Sequence, residues 1–238
     1  GASTSASAAT NTAAIHAAFS VVGQLGGGGV VRLGAGTFPI TNITNSENNC
    51  VLEGGGIGTT VLQYNTPTGD GVAYKASKGA SSIVRSGIRN IGFISSSSTT
   101  KTAVVINDGR QSICESISIN TGNWPGTDSI GLRTYGRDFF SIARCDIECA
   151  RPWIISVNSN SADLQVDMSV VQSCQFASTV STGKNVELET GVEVTNLKFD
   201  TVNFAGGKYG FYYVDTTSTI APYALSFTNC RYEQNADT

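Results

Sequence analysis

The apolar positions of this chain fall into a short phrase that returns through its C-terminal two thirds. The clearest copy is Val171-Gln172-Ser173-Cys174-Gln175-Phe176: an apolar residue, two others, Cys or an apolar residue, a polar residue, an apolar residue. Ile142…Cys145…Ile147, Phe199…Val202…Phe204 and Phe227…Cys230…Tyr232 repeat it, and Ile88…Ile91…Phe93 and Cys114…Ile117…Ile119 are looser copies. The fourth positions, Ile91, Ile117, Cys145, Cys174, Val202 and Cys230, advance in steps of 26, 28, 29, 28 and 28. One apolar strand per fixed period in the twenties is the sequence form of a solenoid. The last three residues of each copy alternate apolar, polar, apolar, as a strand with one buried face does. A β-sandwich brings its strands back every 8–12 residues or so and does not hold one register over five steps.

From about residue 83 each period carries a second apolar stretch: Val104-Val105-Ile106, Ile130-Gly131-Leu132, Ile154-Ile155-Ser156-Val157, Val186-Glu187-Leu188 and Phe211-Tyr212-Tyr213-Val214. The longest insertions fall at about 121–129, 158–168, 178–185 and 215–222. Insertions leave the side of a solenoid and line its binding surfaces. Before the repeats, residues 1–9 read as a loose lead-in. Thr10 or Asn11 is placed to cap a helix running to about Val22, with Ile15, Ala18, Phe19 and Val22 as its apolar stripe. His16 reads as a partly exposed side chain of that helix rather than a catalytic base. Gly54-Gly55-Gly56-Ile57-Gly58 lacks the Lys-Ser/Thr of a phosphate loop and opens no helix, so it reads as tight turning between strands. The expected organisation is one continuous domain, with a cap and first turns in 1–64 and rungs in 65–238. The last ladder copy is followed closely by Arg231 to Thr238, which would leave an open rung; more chain or a partner is expected to cover it.

Three stretches together resemble a known family. They are Asn11-Thr12-Ala13-Ala14-Ile15-His16-Ala17-Ala18, then Val30-Val31-Arg32-Leu33-Gly34-Ala35-Gly36-Thr37-Phe38, then Val51-Leu52-Glu53-Gly54-Gly55-Gly56-Ile57-Gly58-Thr59-Thr60-Val61-Leu62. They are similar to the N-terminal signature of the pectate-lyase-like superfamily, whose members include phage tailspikes and capsule depolymerases. The acidic approach usual before the helix is replaced here by Ser-Thr-Ser-Ala-Ser-Ala-Ala-Thr. The resemblance implies an all-β fold, a right-handed single-stranded parallel β-helix whose open end is capped by the N-terminal α-helix. It also implies a homotrimer. It does not select a reaction, because lyases, hydrolases, epimerases and adhesins share the signature.

Composition narrows the rest. Only 14% of residues are charged, Gly numbers 27, and the net charge is −3 with no basic stripe, so a nucleic-acid partner is not expected. No apolar run approaches about 18 residues, so membrane insertion is not expected either. Cys145, Cys174 and Cys230 share one inward slot with Ile and Val, so the six cysteines read as free, buried apolar residues. No paired C-x-x-C exists and His16 is the sole histidine, so neither metal nor cofactor is expected.

The wall of a solenoid presents outward side chains in a grid. Neighbours two apart on a strand stand about 6.6–7 Å apart and successive rungs about 4.8 Å. Paired carboxylates on such a wall do acid–base work on a sugar chain. Two patches qualify. In the first, Asp146 and Glu148 are the catalytic candidates, with Arg144 beside them and Ser118, Asn120 and Gln175 on adjoining rungs. In the second they are Glu187 and Glu189, with Arg133 and Tyr135 two rungs before and Asp215 one rung after. A solvated charged wall accounts for either patch as well. Trp124, in the loop Asn123-Trp124-Pro125-Gly126, either stacks on sugar rings or packs over its turn or against a neighbouring subunit. Trp153 reads as core, and Tyr209, Tyr212, Tyr213 and Tyr223 as packing or subunit contacts. No His-Glu-x-x-His and no Gly-x-Ser-x-Gly occurs, nor the Asp-Pro-His-Glu type motif of alginate epimerases or a calcium-binding Asp cluster. The expected function is that of a tailspike or tail-fibre domain on the virion tail, which binds bacterial surface polysaccharide (capsule or lipopolysaccharide O-chain) and depolymerises it. The alternatives are a non-catalytic β-helix adhesin and a bacterial lyase or epimerase.

Overall fold

The computed structural model describes residues 1–66, 68–75, 83–99, 101–107, 109–120, 123–135, 140–156, 165–213 and 224–233. They form a right-handed parallel β-helix of about six turns behind one helix. Asp215, Tyr223, Val157 and Val214 lie outside the described residues, as do parts of the expected insertions at 121–129 and 158–168 and the whole of 215–222.

The helix spans Ala8–Gln24, starting earlier than the sequence suggests. Ser7 is its cap, and Ser7 Oγ accepts from the Thr10 amide at 3.2 Å. Asn11 and Thr12 are therefore free to turn inward onto the first rung. Asn11 Nδ2 donates to the Pro39 carbonyl at 3.0 Å, and Thr12 Oγ1 accepts from the Thr41 amide at 2.9 Å. His16 Nε2 accepts from the Thr44 amide at 2.9 Å. Three side chains of one helix thus occupy main-chain groups at the edge of the solenoid, where unpaired groups would invite aggregation. Ile15 and Phe19 fill the space beneath.

Each rung has three walls. The first holds residues 113–115, Ser141–Ala143, 170–172, 198–200 and Ser226–Thr228, all parallel. The second holds 118–119, Asp146–Cys149, Gln175–Ser178, Asn203–Gly206 and Arg231–Glu233. The third holds Lys101–Asn107, Ile130–Tyr135, Arg151–Ser156, Lys184–Leu188 and Tyr209–Tyr213, matching the second apolar stretch of each period. The first turns stack as well: Gly29–Arg32 pairs with Cys50–Glu53.

The first and second walls meet at one residue with left-handed backbone. Asn90, Ser116, Arg144, Ser173, Thr201 and Asn229 hold φ between 51° and 59°. That residue explains the odd gap in the sequence phrase: two inward side chains stand three apart because one residue is spent turning the corner. Such backbone disfavours side-chain-bearing residues by roughly 1–2 kcal/mol. The inter-rung ladder sustains it: the Arg144 amide donates to Gln172 O at 3.0 Å, Ser173 to Asp200 O at 3.0 Å and Thr201 to Thr228 O at 2.8 Å.

Inside, like stacks on like. Cys114, Ile142, Val171, Phe199 and Phe227 form one file, and Ile119, Ile147, Phe176 and Phe204 another. Trp153 is core, stacked on Phe176 at 5.6 Å between ring centres and meeting Phe140 edge-on at 5.7 Å. All six cysteines are free, and all but Cys230 are buried. Cys145 lies 4.0 Å from Cys114, sulfur to sulfur, and the Cys145 amide donates to the Cys174 sulfur at 3.4 Å. Burial pushes the Cys145 thiol well above its ordinary value and the Cys149 thiol up to about 12.

Candidate active site

On the second wall, Asp146 and Glu148 flank inward Ile147 and point outward on one strand. Ser118 and Gln175 are the register partners of Asp146 on the rungs before and after. Gln175 Nε2 donates to Asp146 Oδ1 at 3.3 Å, and Asn203 Nδ2 donates to Gln175 Oε1 at 3.2 Å, so a row of amides runs up the wall from the acid. Ala177 and Ala205 follow Glu148 in register, leaving only methyl groups beside that row. Burial pushes the Asp146 carboxyl above its ordinary value, and the nearby Glu148 charge adds to this, while the Gln175 amide pulls the other way. Among the described residues no cation pairs with either carboxylate.

Arg144 does not join this row. It occupies the left-handed corner, which slips the in–out alternation by one residue, and its guanidinium pairs with Glu115 one rung earlier. It extends a ladder of alternating charge up the first wall. There Glu53 takes Arg89 at 2.8 Å and Arg32 at 3.6 Å.

Among the described residues of the second patch, both glutamates are ion-paired. Glu187 Oε2 accepts from Arg151 Nε at 3.2 Å and from Nη2 at 2.8 Å, and its Oε1 accepts from Lys184 Nζ at 2.6 Å. Burial acts to raise this carboxyl, but the Lys184 and Arg151 donors outweigh it and hold it below its ordinary value. Glu187 is therefore an anion with both oxygens engaged, the opposite condition from a general acid. Lys184 also lies over the Tyr212 ring, 3.8 Å from its centre. Arg133 reaches across a rung to Glu189 at 3.8 Å and donates to Tyr135 Oη at 3.3 Å.

Trp124 is not exposed, as stacking on sugar would require. Its side chain is 1% accessible, stacked on Tyr64 at 6.3 Å and edge-on to Phe93 at 6.2 Å. Its Nε1 donates to the Ile130 carbonyl at 3.2 Å, and Lys101 Nζ sits 5.0 Å from the ring centre. The loop folds back so that the indole plugs the rung, and a buried indole needs the acceptor it has found.

One further feature was not singled out in the sequence. Between register-matched positions of the second and third walls, three successive rungs run through 120–129, 148–150 and 177–183. The middle rung turns its corner at Ala150, while its neighbours carry long loops. A cleft of about 280 Å³ opens above that corner, lined by Thr127 and Asp128 on one side, Val180 and Thr182 on the other, and Arg151, Lys184 and Glu187 along the third wall. The abrupt passage Cys149-Ala150-Arg151 between two long insertions is the sequence signal that could have found it. Among the described residues no group of three His, Cys, Asp or Glu side chains is arranged to hold a metal ion, and no helix is long and apolar enough to cross a membrane.

No protein-family model matches the sequence, and no curated protein matches it either. Solved structures do match in shape at low identity. The A-module of mannuronan C-5 epimerase AlgE4 from Azotobacter vinelandii is 11% identical, with a TM-score of 0.38, over 98% of this chain and 94% of that one. ORF18 of Geobacillus virus E2 is 16% identical, with a TM-score of 0.47, over 94% of this chain and 57% of that one. A pectin methylesterase solved with a hexasaccharide is 11% identical, with a TM-score of 0.36, over 83% of each chain.

Proposed function

We propose that this chain is the receptor-binding β-helix of a phage tailspike or tail fibre, working as a homotrimer, and that it depolymerises bacterial surface polysaccharide at Asp146 and Glu148. The observation that carries the reading is the state of this pair. Both carboxylates face outward on one strand, neither is engaged by a cation among the described residues, and Asp146 is biased toward its protonated form. Positions two apart on a strand give a backbone spacing of about 6.6–7 Å, which carboxylates projecting side by side share. That falls in the range of about 6.5–9.5 Å at which a water fits between acid and base in inverting glycoside hydrolysis. Asp146 then protonates the leaving oxygen, Glu148 activates the water, and the Gln175 amide, held in place by Asn203, orients a sugar hydroxyl beside them. Glu187 and Glu189 serve as holders of Arg151, Lys184 and Arg133 rather than as acid or base.

The test is incubation with bacterial capsules and lipopolysaccharide O-chains, followed by mass spectrometry. Fragments that have gained a water indicate hydrolysis; fragments lacking it indicate elimination. Asp146→Asn should lower the rate by about 10²–10⁴-fold, the usual contribution of a general acid. Full activity in both Asp146→Asn and Glu148→Gln would remove the assignment. Binding without any cleavage would favour the adhesin reading instead.

A further inference from the structure

The cleft at Ala150 lies on the same rung as Asp146 and Glu148. Glu148 is the outward residue just before that corner and Arg151 is the residue just after it. Loop residues 123–129 and 179–183 stand on the rungs to either side, so the middle rung is the floor of a slot that runs around the solenoid. A second hollow, bordered by Ser98, Pro125 and Thr179, adjoins it and shares Thr127 and Val180 with it. The slot walls carry hydroxyls on Thr127 and Thr182 and a carboxylate on Asp128, all three exposed. Its cations, Arg151 and Lys184, are already tied to Glu187, which is less accessible than either of them. Counting Glu148 at its near end, the described residues of the slot carry three carboxylates, Asp128, Glu148 and Glu187, against two cations. It offers donors and acceptors together, the requirement of vicinal sugar hydroxyls, and it repels a polyanion.

Building on the acid–base assignment above, we infer that the polysaccharide crosses the solenoid along the rung Asp146–Arg151, rather than running up its axis, and that the sugar held at the corner is neutral. One sugar lies over Asp146 and Glu148. A neighbouring sugar sits between the two loops, with Asp128 accepting from its hydroxyls and Arg151 and Lys184 donating to its oxygens. The corner cleft, at about 280 Å³, is at the small end of ligand pockets and suits one sugar ring.

Tryptophan substitutions separate the two orientations. Thr127→Trp and Thr182→Trp fill the slot from exposed loop positions, where folding is insensitive to the change. Ala205→Trp fills the methyl-floored path up the second wall. The probe is an array of immobilised capsule and O-chain polysaccharides, with neutral chains and polyuronates both represented. Thermal melts and circular dichroism of each variant establish that it folds. The expected result is binding of neutral chains by the parent, lowered at least tenfold by Thr127→Trp or Thr182→Trp and unchanged by Ala205→Trp. Loss of binding in Ala205→Trp with retention in both slot variants would overturn the orientation and leave the acid–base pair standing. Binding confined to polyuronates would overturn the neutral sugar. An array on which the parent binds nothing would remove the polysaccharide reading itself, and this inference with it.

Discussion

Glu187 is the residue whose replacement tests the division of labour most directly. The substitution Glu187→Gln keeps the shape and removes the charge. The native carboxylate takes three charged donors, two from Arg151 and one from Lys184. The glutamine carbonyl can satisfy one of the two cations, while its NH₂ must face the other. Hydrogen bonds to charged groups contribute about 1.5–3 kcal/mol each. The side chains of Arg151 and Lys184 remain 31% and 27% exposed, against 15% for Glu187, so water screens part of that. The net cost is about 2–3 kcal/mol, one charged interaction lost and a donor set against a cation. For a domain of this size that is about 4–12 °C in melting temperature. The effect carries a pH signature. The Glu187 carboxyl is depressed in the folded state, so its contribution is complete above its ordinary value of 4.5 and fades as pH falls through the lower folded value. Melts at fixed scan rate should therefore show the full gap between parent and variant near neutrality and a shrinking one as pH falls below 4.5 and through the lower folded value. Equal melting temperatures at neutral pH would refute the reasoning, as would a gap that ignores pH. A loss of cleavage as deep as that of Asp146→Asn, with binding intact, would return Glu187 to the chemistry.

The other expectations are more compact. Trp124→Phe should leave glycan binding unchanged and cost about 1 kcal/mol for the lost bond to Ile130, whereas Trp124→Ala should cost about 3–5 kcal/mol by cavity formation; thermal melts beside the binding array check both. His16→Ala should lower the melting temperature at about pH 8, because the neutral ring accepts from Thr44, and the gap to the parent should close as pH falls below 6.5 and through the lower, burial-depressed value of the folded state. A thiol reagent should modify Cys230 first in the native protein and reach Cys50, Cys114, Cys145, Cys149 and Cys174 only with denaturant, as followed by mass spectrometry. The rate of depolymerisation should fall on the alkaline side as Asp146 loses its proton above its raised value, and Asp146→Asn should abolish that limb.

The parts legible in the sequence were those that repeat. The file Ile91, Ile117, Cys145, Cys174, Val202, Cys230 is visible because every rung needs a small apolar side chain at one place, and stacking turns that need into a period. The same logic picks out the outward partners of Cys145, so the alternation alone puts Asp146 and Glu148 on one face. The corners were harder. Glycine or asparagine would announce left-handed backbone, but Ser116, Arg144, Ser173 and Thr201 do not, since inter-rung hydrogen bonds rather than local preference hold them there. A single such residue shifts the alternation by one, and that shift separates Arg144 from the row it would otherwise join. Loops obey no period at all. The turn residues Asn123, Pro125 and Gly126 leave both sugar stacking and packing open for Trp124, and the structure shows packing, with the indole against Tyr64 and Phe93. The corner cleft escaped for the same reason, since it is made by what is missing. Ala150 matters because its rung has no insertion while both neighbouring rungs do, and comparison of loop lengths at matched register, rather than inspection of any one loop, is what exposes it. In a solenoid, a binding slot is a difference between adjacent rungs, so the residues that shape it need not share any motif.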